Sequence, residues 1–167
     1  PVLLDTALEA LAIRPDGRYV DATFGRGGHA AGILERLEDK GALLAIDRDP
    51  EAVAAAAALF GADPRVRLRH GPFSEIAELA GAGLADGILF DLGVSSMQLD
   101  TAERGFGYRK DGPLDMRMGG DGPSAADLVN ELSEPELADL IYEYGGEHRS
   151  RRIARAIVRK RPITTTD

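Results

Sequence analysis

A chain of 167 residues, 44% of them hydrophobic, is long enough for one domain of ordinary size with a sizeable core, and it carries a net charge of −8. Zero cysteines exclude disulfides, thiolate metal sites and a cysteine nucleophile within the chain, and the negative balance argues against a protein that coats nucleic acid by bulk attraction. No apolar run reaches the roughly 18 residues that span a bilayer, nothing at the start resembles a signal segment and no repeat has a fixed period, so a globular, cytoplasmic protein is expected.

The opening "PVLLDTALEAL" already has an apolar pattern and no methionine. The closing "PITTTD" offers residues suited to the N-cap of a helix that does not follow, so the chain reads as the N-terminal portion of something longer. Four β-rich runs, Tyr19 to Phe24, Ala42 to Asp47, Val66 to His70 and Gly87 to Asp91, alternate with helical patterns, which predicts βαβ units and a parallel sheet. Between the first two, Ala30, Ile33, Leu34 and Leu37 share a helical face and Gly41 suits the exit. Asp49 and Pro50 suit the N-cap and first position of a helix through Phe60, and Ser74 is the expected cap of a short helix from Glu75 to Ala80.

After Asp91 the pattern changes. The segment from Gly93 to Gly122 is rich in glycine and charge and lacks periodicity, which predicts a long functional loop able to close over a substrate. Within it Asp115 is placed to pair with Arg117. Helices resume at Ser124, which caps Ala125 to Leu132; Ser133 with Glu136 forms a capping box for Pro135 to Tyr144, ended by Gly145 and Gly146. A last helix, about Arg149 to Arg161, stops at Pro162. The fold class predicted is α/β: a Rossmann-like cofactor domain over residues 1–94, its sheet incomplete in this chain, then a substrate-side loop and the start of a helical insertion over residues 95–167.

The stretch "DATFGRGGHA" follows the first strand, where glycines let backbone N–H groups approach a ligand and a helix N-terminus adds a positive field. Gly25, Gly27 and Ala30 satisfy a loose dinucleotide fingerprint, and Asp47 stands at the spacing of a ribose-binding acid. Both NAD and S-adenosylmethionine fit so far. Asp21, four residues before the first glycine, separates them: a carboxylate beneath the loop opposes a pyrophosphate and favours an ammonium or a sulfonium. Each residue also has a plain structural reading: Asp21 as a loop-backbone acceptor, Asp47 as a helix-capping acid, His29 as a backbone cap. Asp91 ends the fourth run, so three strand-end acids and the glycine loop form a constellation of the methyltransferase kind.

"DATFGRGGHAAGIL", "AIDRDPEA", "HGPFSEI", "GILFDLGVSSMQLDTAERGFGYRKDGPLDMRM" and "YGGEHRSRRIARAIV" together resemble the RsmH or MraW family, bacterial 16S ribosomal RNA cytosine-N4 methyltransferases. The resemblance covers essentially the whole chain, and its most specific block runs from Asp91 to Met118. It implies contacts to S-adenosylmethionine through Gly27, Gly28, His29, Asp47, Phe73, Asp91 and Gln98. It also implies methylation of the exocyclic N4 of a cytidine in the decoding region of 16S rRNA within the small ribosomal subunit, and a longer family chain whose later part completes the sheet.

Methyl transfer from a sulfonium is an in-line displacement, so positioning and tolerance of migrating charge count for more than a strong base. Asp91 is the candidate catalytic residue, an acceptor for the amino hydrogens of cytosine, with Ser95 and Ser96 as candidate helpers. Phe73 reads equally as a ring packed on adenine or as a core phenylalanine. Cytosine C5 methylation needs a cysteine, and the chain has none. From His148 to Arg161 there are seven lysines and arginines and no acid; Arg152, Arg155 and Arg159 form a stripe able to track RNA phosphates, with Ile153 and Ile157 on another face. The rivals are a nicotinamide-dependent oxidoreductase and a non-catalytic RNA-binding module. No metal and no membrane association are expected, and whether the protein forms a homodimer is left open.

Overall fold

The computed structural model describes residues 1–81, 83 and 85–167 and divides into two compact units, Pro1–Gly93 and Val94–Asp167. The first unit is an α/β structure. Four strands, β1 (Arg18–Asp21), β2 (Ala42–Asp47), β3 (Val66–His70) and β4 (Gly87–Leu89), form a parallel sheet in the order β3-β2-β1-β4. Alternate residues face opposite layers, so Tyr19, Leu43 and Ala45 enter one core while Val20, Leu44 and Ile46 enter another. The first core is covered by α1 (Leu4–Leu11), α2 (Gly28–Leu34) and α3 (Pro50–Phe60), the second by α4 (Ile76–Ala80). Central β2 is apolar on both faces, as a strand covered by helices must be.

Local chemistry explains most boundaries. Asp49 accepts the Glu51 N–H at 3.0 Å and Pro50 fills the first turn, so α3 runs over the expected residues. Strands β2 and β3 also keep their expected bounds, whereas β1 and β4 stop short, at Asp21 and Leu89. Past these ends Ala22 N–H still donates to the Leu89 carbonyl and Phe24 N–H to the Ile46 carbonyl, while the Asp91 N–H donates to the Thr23 side chain, Oγ1, at 2.7 Å. Helix α1 was not expected; Leu4, Leu8 and Leu11, four and three apart, turn one apolar face to the core. Ser74 is no cap, because Phe73–Glu75 form a 3-10 turn, closed by Glu75 N–H to the Pro72 carbonyl, that runs directly into α4.

The second unit contains α5 (Ser96–Asp100), α6 (Ala125–Glu131), α7 (Glu134–Gly145) and α8 (Ser150–Lys160). Capping boxes start α6 at Ser124 with Asp127 and α7 at Ser133 with Glu136, and Gly146, at φ 62°, ends α7. Helices α7 and α8 pack through Leu137, Ala138 and Ala154, flanked by Ile141 and Ile157. The segment expected to be a structureless loop instead holds α5 and a 3-10 turn at Ala102–Arg104. A capping box of Ser95 with Gln98 starts α5. Asp115 and Arg117 pair at 2.6 Å as their spacing predicts, and the Arg117 guanidinium holds the Asp115 carboxyl below the usual range. The closing residues are pinned too: Leu114 N–H donates to the Thr164 carbonyl and Asn130 bonds both the N–H and the carbonyl of Ile163.

Candidate functional site

In the first unit β1 has β2 on one side and β4 on the other, so the chain leaves the carboxyl ends of neighbouring strands in opposite directions and opens a crevice there. The glycine loop lies at this point. Gly25 and Gly27 take φ of 54° and 75°, which L side chains rarely adopt. Their bare Cα atoms serve different ends. A Cβ on Gly27 would stand 2.6 Å from Phe24 Cζ and 3.0 Å from Phe60 Cε2, so that glycine makes room for the edge-to-face Phe24–Phe60 pair. A Cβ on Gly25 would meet only the Thr23 carbonyl, at 3.9 Å, so Gly25 leaves open space over the loop. Gly28 is bare because Pro1 lies against it, 2.8 Å from where its Cβ would be.

Three carboxylates organise the loop, each differently. Asp47 Oδ2 accepts the Gly25 N–H at 2.8 Å and its Oδ1 accepts the Asp49 N–H at 2.9 Å, so it clamps the loop to the end of β2 while each oxygen keeps a lone pair for a further donor. Asp21 is fully buried. Its Oδ1 accepts the Thr23 N–H at 3.2 Å, and Oδ2 has no hydrogen-bond partner. Burial pushes its carboxyl up to about 6, the Thr23 bond and the His29 ring oppose that, and the charges of Asp47 and Asp91 add to it. Asp21 therefore acts through its field from beneath the loop and does not line the surface. Asp91 is the exposed member, its backbone held by Thr23 and its Oδ2 3.6 Å from His29 Nδ1. His29 is buried in α2, and its Nε2 faces the Val2 carbonyl at 3.0 Å.

Phe73 is 44% exposed and packs edge-to-face on Phe90 at 5.6 Å. Gln98 belongs to the second unit, where its Oε1 accepts the Ser95 N–H at 3.0 Å and its own N–H donates to Ser95 Oγ. The Ser95 hydroxyl is thus engaged in the start of α5. On α8, Arg152, Arg155 and Arg159 are all exposed and Ile153 and Ile157 turn inward, but Arg155 is engaged with Glu134 at 3.1 Å. Thr23, Gly25 and Phe90 are the positions that sequence reasoning did not single out as site residues. Thr23 had no signal; Gly25 stood in the fingerprint, and Phe90 lies beside Asp91.

The arrangement fits a positively charged nucleoside cofactor: an open backbone above Gly25, a buried carboxylate beneath, a clamped acid at ribose spacing and an exposed aromatic pair. A family model described as the MraW methylase family matches residues 1–167. The chain belongs to that family. A methylase family leaves no room for the nicotinamide reading. The chain is 56% identical over 159 residues to the ribosomal RNA small subunit methyltransferase H of Xylella fastidiosa (strain M23), covering 95% of this chain and 51% of that one. It is 58% identical to the protein of the same name from Gluconobacter oxydans (strain 621H), covering 99% and 52%. The chain spans about half the length of the curated relatives it matches. Among solved structures, the C-terminal domain of precorrin-6Y C5,15-methyltransferase from Rhodobacter capsulatus aligns with a TM-score of 0.46 and 22% identity, over 59% of this chain and 52% of that one. Among the described residues no helix is long and apolar enough to cross a membrane.

Proposed function

We propose that this chain is the cofactor-binding part of an S-adenosylmethionine-dependent enzyme that methylates the exocyclic N4 of a cytidine in the decoding region of 16S rRNA. The observation that carries the reading is the buried Asp21 carboxylate with its unpartnered Oδ2, directly before a loop whose backbone Asp47 clamps. A buried carboxylate with an oxygen that makes no hydrogen bond favours a cationic ligand over a diphosphate. Bound there, S-adenosylmethionine supplies an electrophilic methyl group on a positive sulfur.

Each residue then has a task. Asp47, with both oxygens oriented by backbone N–H groups, accepts the ribose hydroxyls, and Gly27, Gly28 and His29 line the loop side of the cofactor. Phe73 offers its exposed ring to the adenine, and Gln98 is the further contact that family membership suggests. Asp91, exposed and steadied by Thr23 and His29, accepts the amino hydrogens of the target cytosine. That would pyramidalise N4 and leave its lone pair free for the methyl group that bound S-adenosylmethionine would supply, with the proton shed by N4 passing to Asp91.

Small-subunit RNA incubated with the full-length protein and isotopically labelled cofactor tests this by mass spectrometry. Label on the N4 of a cytidine, lost with Asp91→Ala, supports the reading. Cofactor binding with no label in the RNA overturns it in favour of a non-catalytic RNA-binding role.

A further inference from the structure

A hollow lies within the second unit. It has a volume of about 620 Å³ and is lined by Asp139 and Tyr142 of α7 and by His148, Arg149, Arg151 and Arg152 at the start of α8. The left-handed turn at Gly146 reverses the chain between the helices and brings the Tyr142 and His148 rings to 5.9 Å, tilted by 58°. A neighbouring hollow of about 380 Å³ shares Asp139 and Arg151 and reaches Glu134 and Arg155, so the two form one groove along α7 and α8.

The helix pair does not need these side chains to fold. Its contacts are made by Leu137, Ala138, Ile141, Ala154 and Ile157, while Tyr142 is 54% exposed. The arginines differ among themselves. Arg155 is engaged with Glu134, and Arg161 donates to the carbonyls of Val129 and Leu132. Among the described residues no carboxylate pairs with Arg149, Arg151 or Arg152. Three guanidinium groups with no ion-paired carboxylate among the described residues, beside two exposed rings, match a phosphodiester chain with unstacked bases, because arginine forks fit phosphate oxygens and an aromatic face accepts any base. A folded duplex keeps its bases stacked and has nothing to offer the rings.

We propose that this groove seats an unpaired stretch of the RNA substrate, with a base against Tyr142 and His148 and its flanking phosphates on Arg149, Arg151 and Arg152. Asp139 is the acceptor within reach of a base amino group. The inference rests on the RNA-methylating reading above and assigns a substrate-holding role that is separate from the cofactor loop.

Fluorescence anisotropy of the full-length protein with a labelled, unstructured 12-nucleotide RNA, and with the same strand in a duplex, tests it. The single strand is expected to bind more tightly than the duplex. Tyr142→Ala is expected to weaken it about tenfold or more, and Tyr142→Phe to leave it nearly unchanged. Arg149→Glu with Arg151→Glu is expected to weaken binding and lower its salt dependence by roughly one to two phosphate equivalents. Tyr144→Ala, 81% exposed and outside the groove, is the control. Unchanged binding in the Tyr142→Ala and arginine variants overturns the proposal. So does equal binding of the duplex, or displacement of the RNA by a polyglutamate peptide that shows the same dependence on Tyr142. Calorimetry with S-adenosylmethionine on the same proteins separates the two ideas: normal cofactor binding with unaltered RNA binding removes only the groove, whereas no cofactor binding by the wild-type chain removes the methyl-transfer reading itself.

Discussion

His29 bridges the start of the chain and the candidate catalytic acid: its Nε2 lies 3.0 Å from the Val2 carbonyl and its Nδ1 3.6 Å from Asp91 Oδ2. Because a carbonyl only accepts, Nε2 carries a hydrogen, and the ring is held in one orientation by residues 27 and 62 positions away in sequence. Pro1 covers Gly28 beside it, so the first residues of the chain brace the loop.

Replacing His29 with alanine leaves the part-buried Val2 tether unmade and removes the ring beside Asp91. Urea denaturation is expected to show a loss of about 1–3 kcal/mol. A loss no larger than that of a surface substitution would mean that the tether contributes little.

Asp21 links stability to pH. Its carboxyl titrates at about 6 in the folded chain against 3.8 when unperturbed, so between those values the native state holds a proton that the unfolded state has released. Its stabilising contribution is complete below pH 3.8 and is lost as the pH rises through 6, a difference of about 3 kcal/mol. Half-buried carboxylates with lowered values, such as Asp63 and Asp115, act in the opposite sense, so the comparison must be internal. The stability of wild type minus that of Asp21→Asn is expected to fall between pH 4 and 6.5. A flat difference would place the Asp21 carboxyl in an ordinary solvated setting.

The same carboxylate predicts how a cationic ligand responds to acid. S-adenosylmethionine affinity is expected to weaken below pH 6 with up to one proton taken up per complex broken, and Asp21→Asn to bind weakly without that dependence. Methylthioadenosine, which lacks both the sulfonium and the ammonium, is the neutral comparison and is expected to bind independently of Asp21. Isothermal titration in buffers of different ionisation enthalpy reads the proton directly.

Gly25 and Gly27 are expected to fail in different ways. Gly27→Ala forces a methyl group into Phe24 and Phe60 and strains the backbone, so it should cost about 2–4 kcal/mol of stability. Gly25→Ala pays only for its left-handed backbone, about 1–2 kcal/mol, and places its methyl in the open space above the loop. Thermal unfolding with and without cofactor separates them: Gly25→Ala is expected to fold and lose the cofactor's stabilising effect. If Gly25→Ala keeps that effect, the ligand lies elsewhere.

What the sequence determined by itself is what short-range chemistry determines. The bounds of β2, β3 and α3, the capping boxes at Ser124 and Ser133 and the stop at Gly146 are set by side chains acting within about four residues, by the apolar run of covered β2, or by the apolar-charged alternation of β3. The glycine loop, Asp21 and Asp47 were legible for the same reason, as their positions follow from strand ends, whereas Asp91 stands two residues past the end of β4. Tertiary structure alone decided what each would be. Which glycine is open and which makes room for two phenylalanines depends on Phe60, 33 residues beyond Gly27. Whether Asp21 rims the crevice or lies beneath it depends on its burial, and the place of Asp91 on a threonine 68 residues earlier. Burial and partnership across such separations follow from the packing of whole elements, which no local pattern of residues encodes.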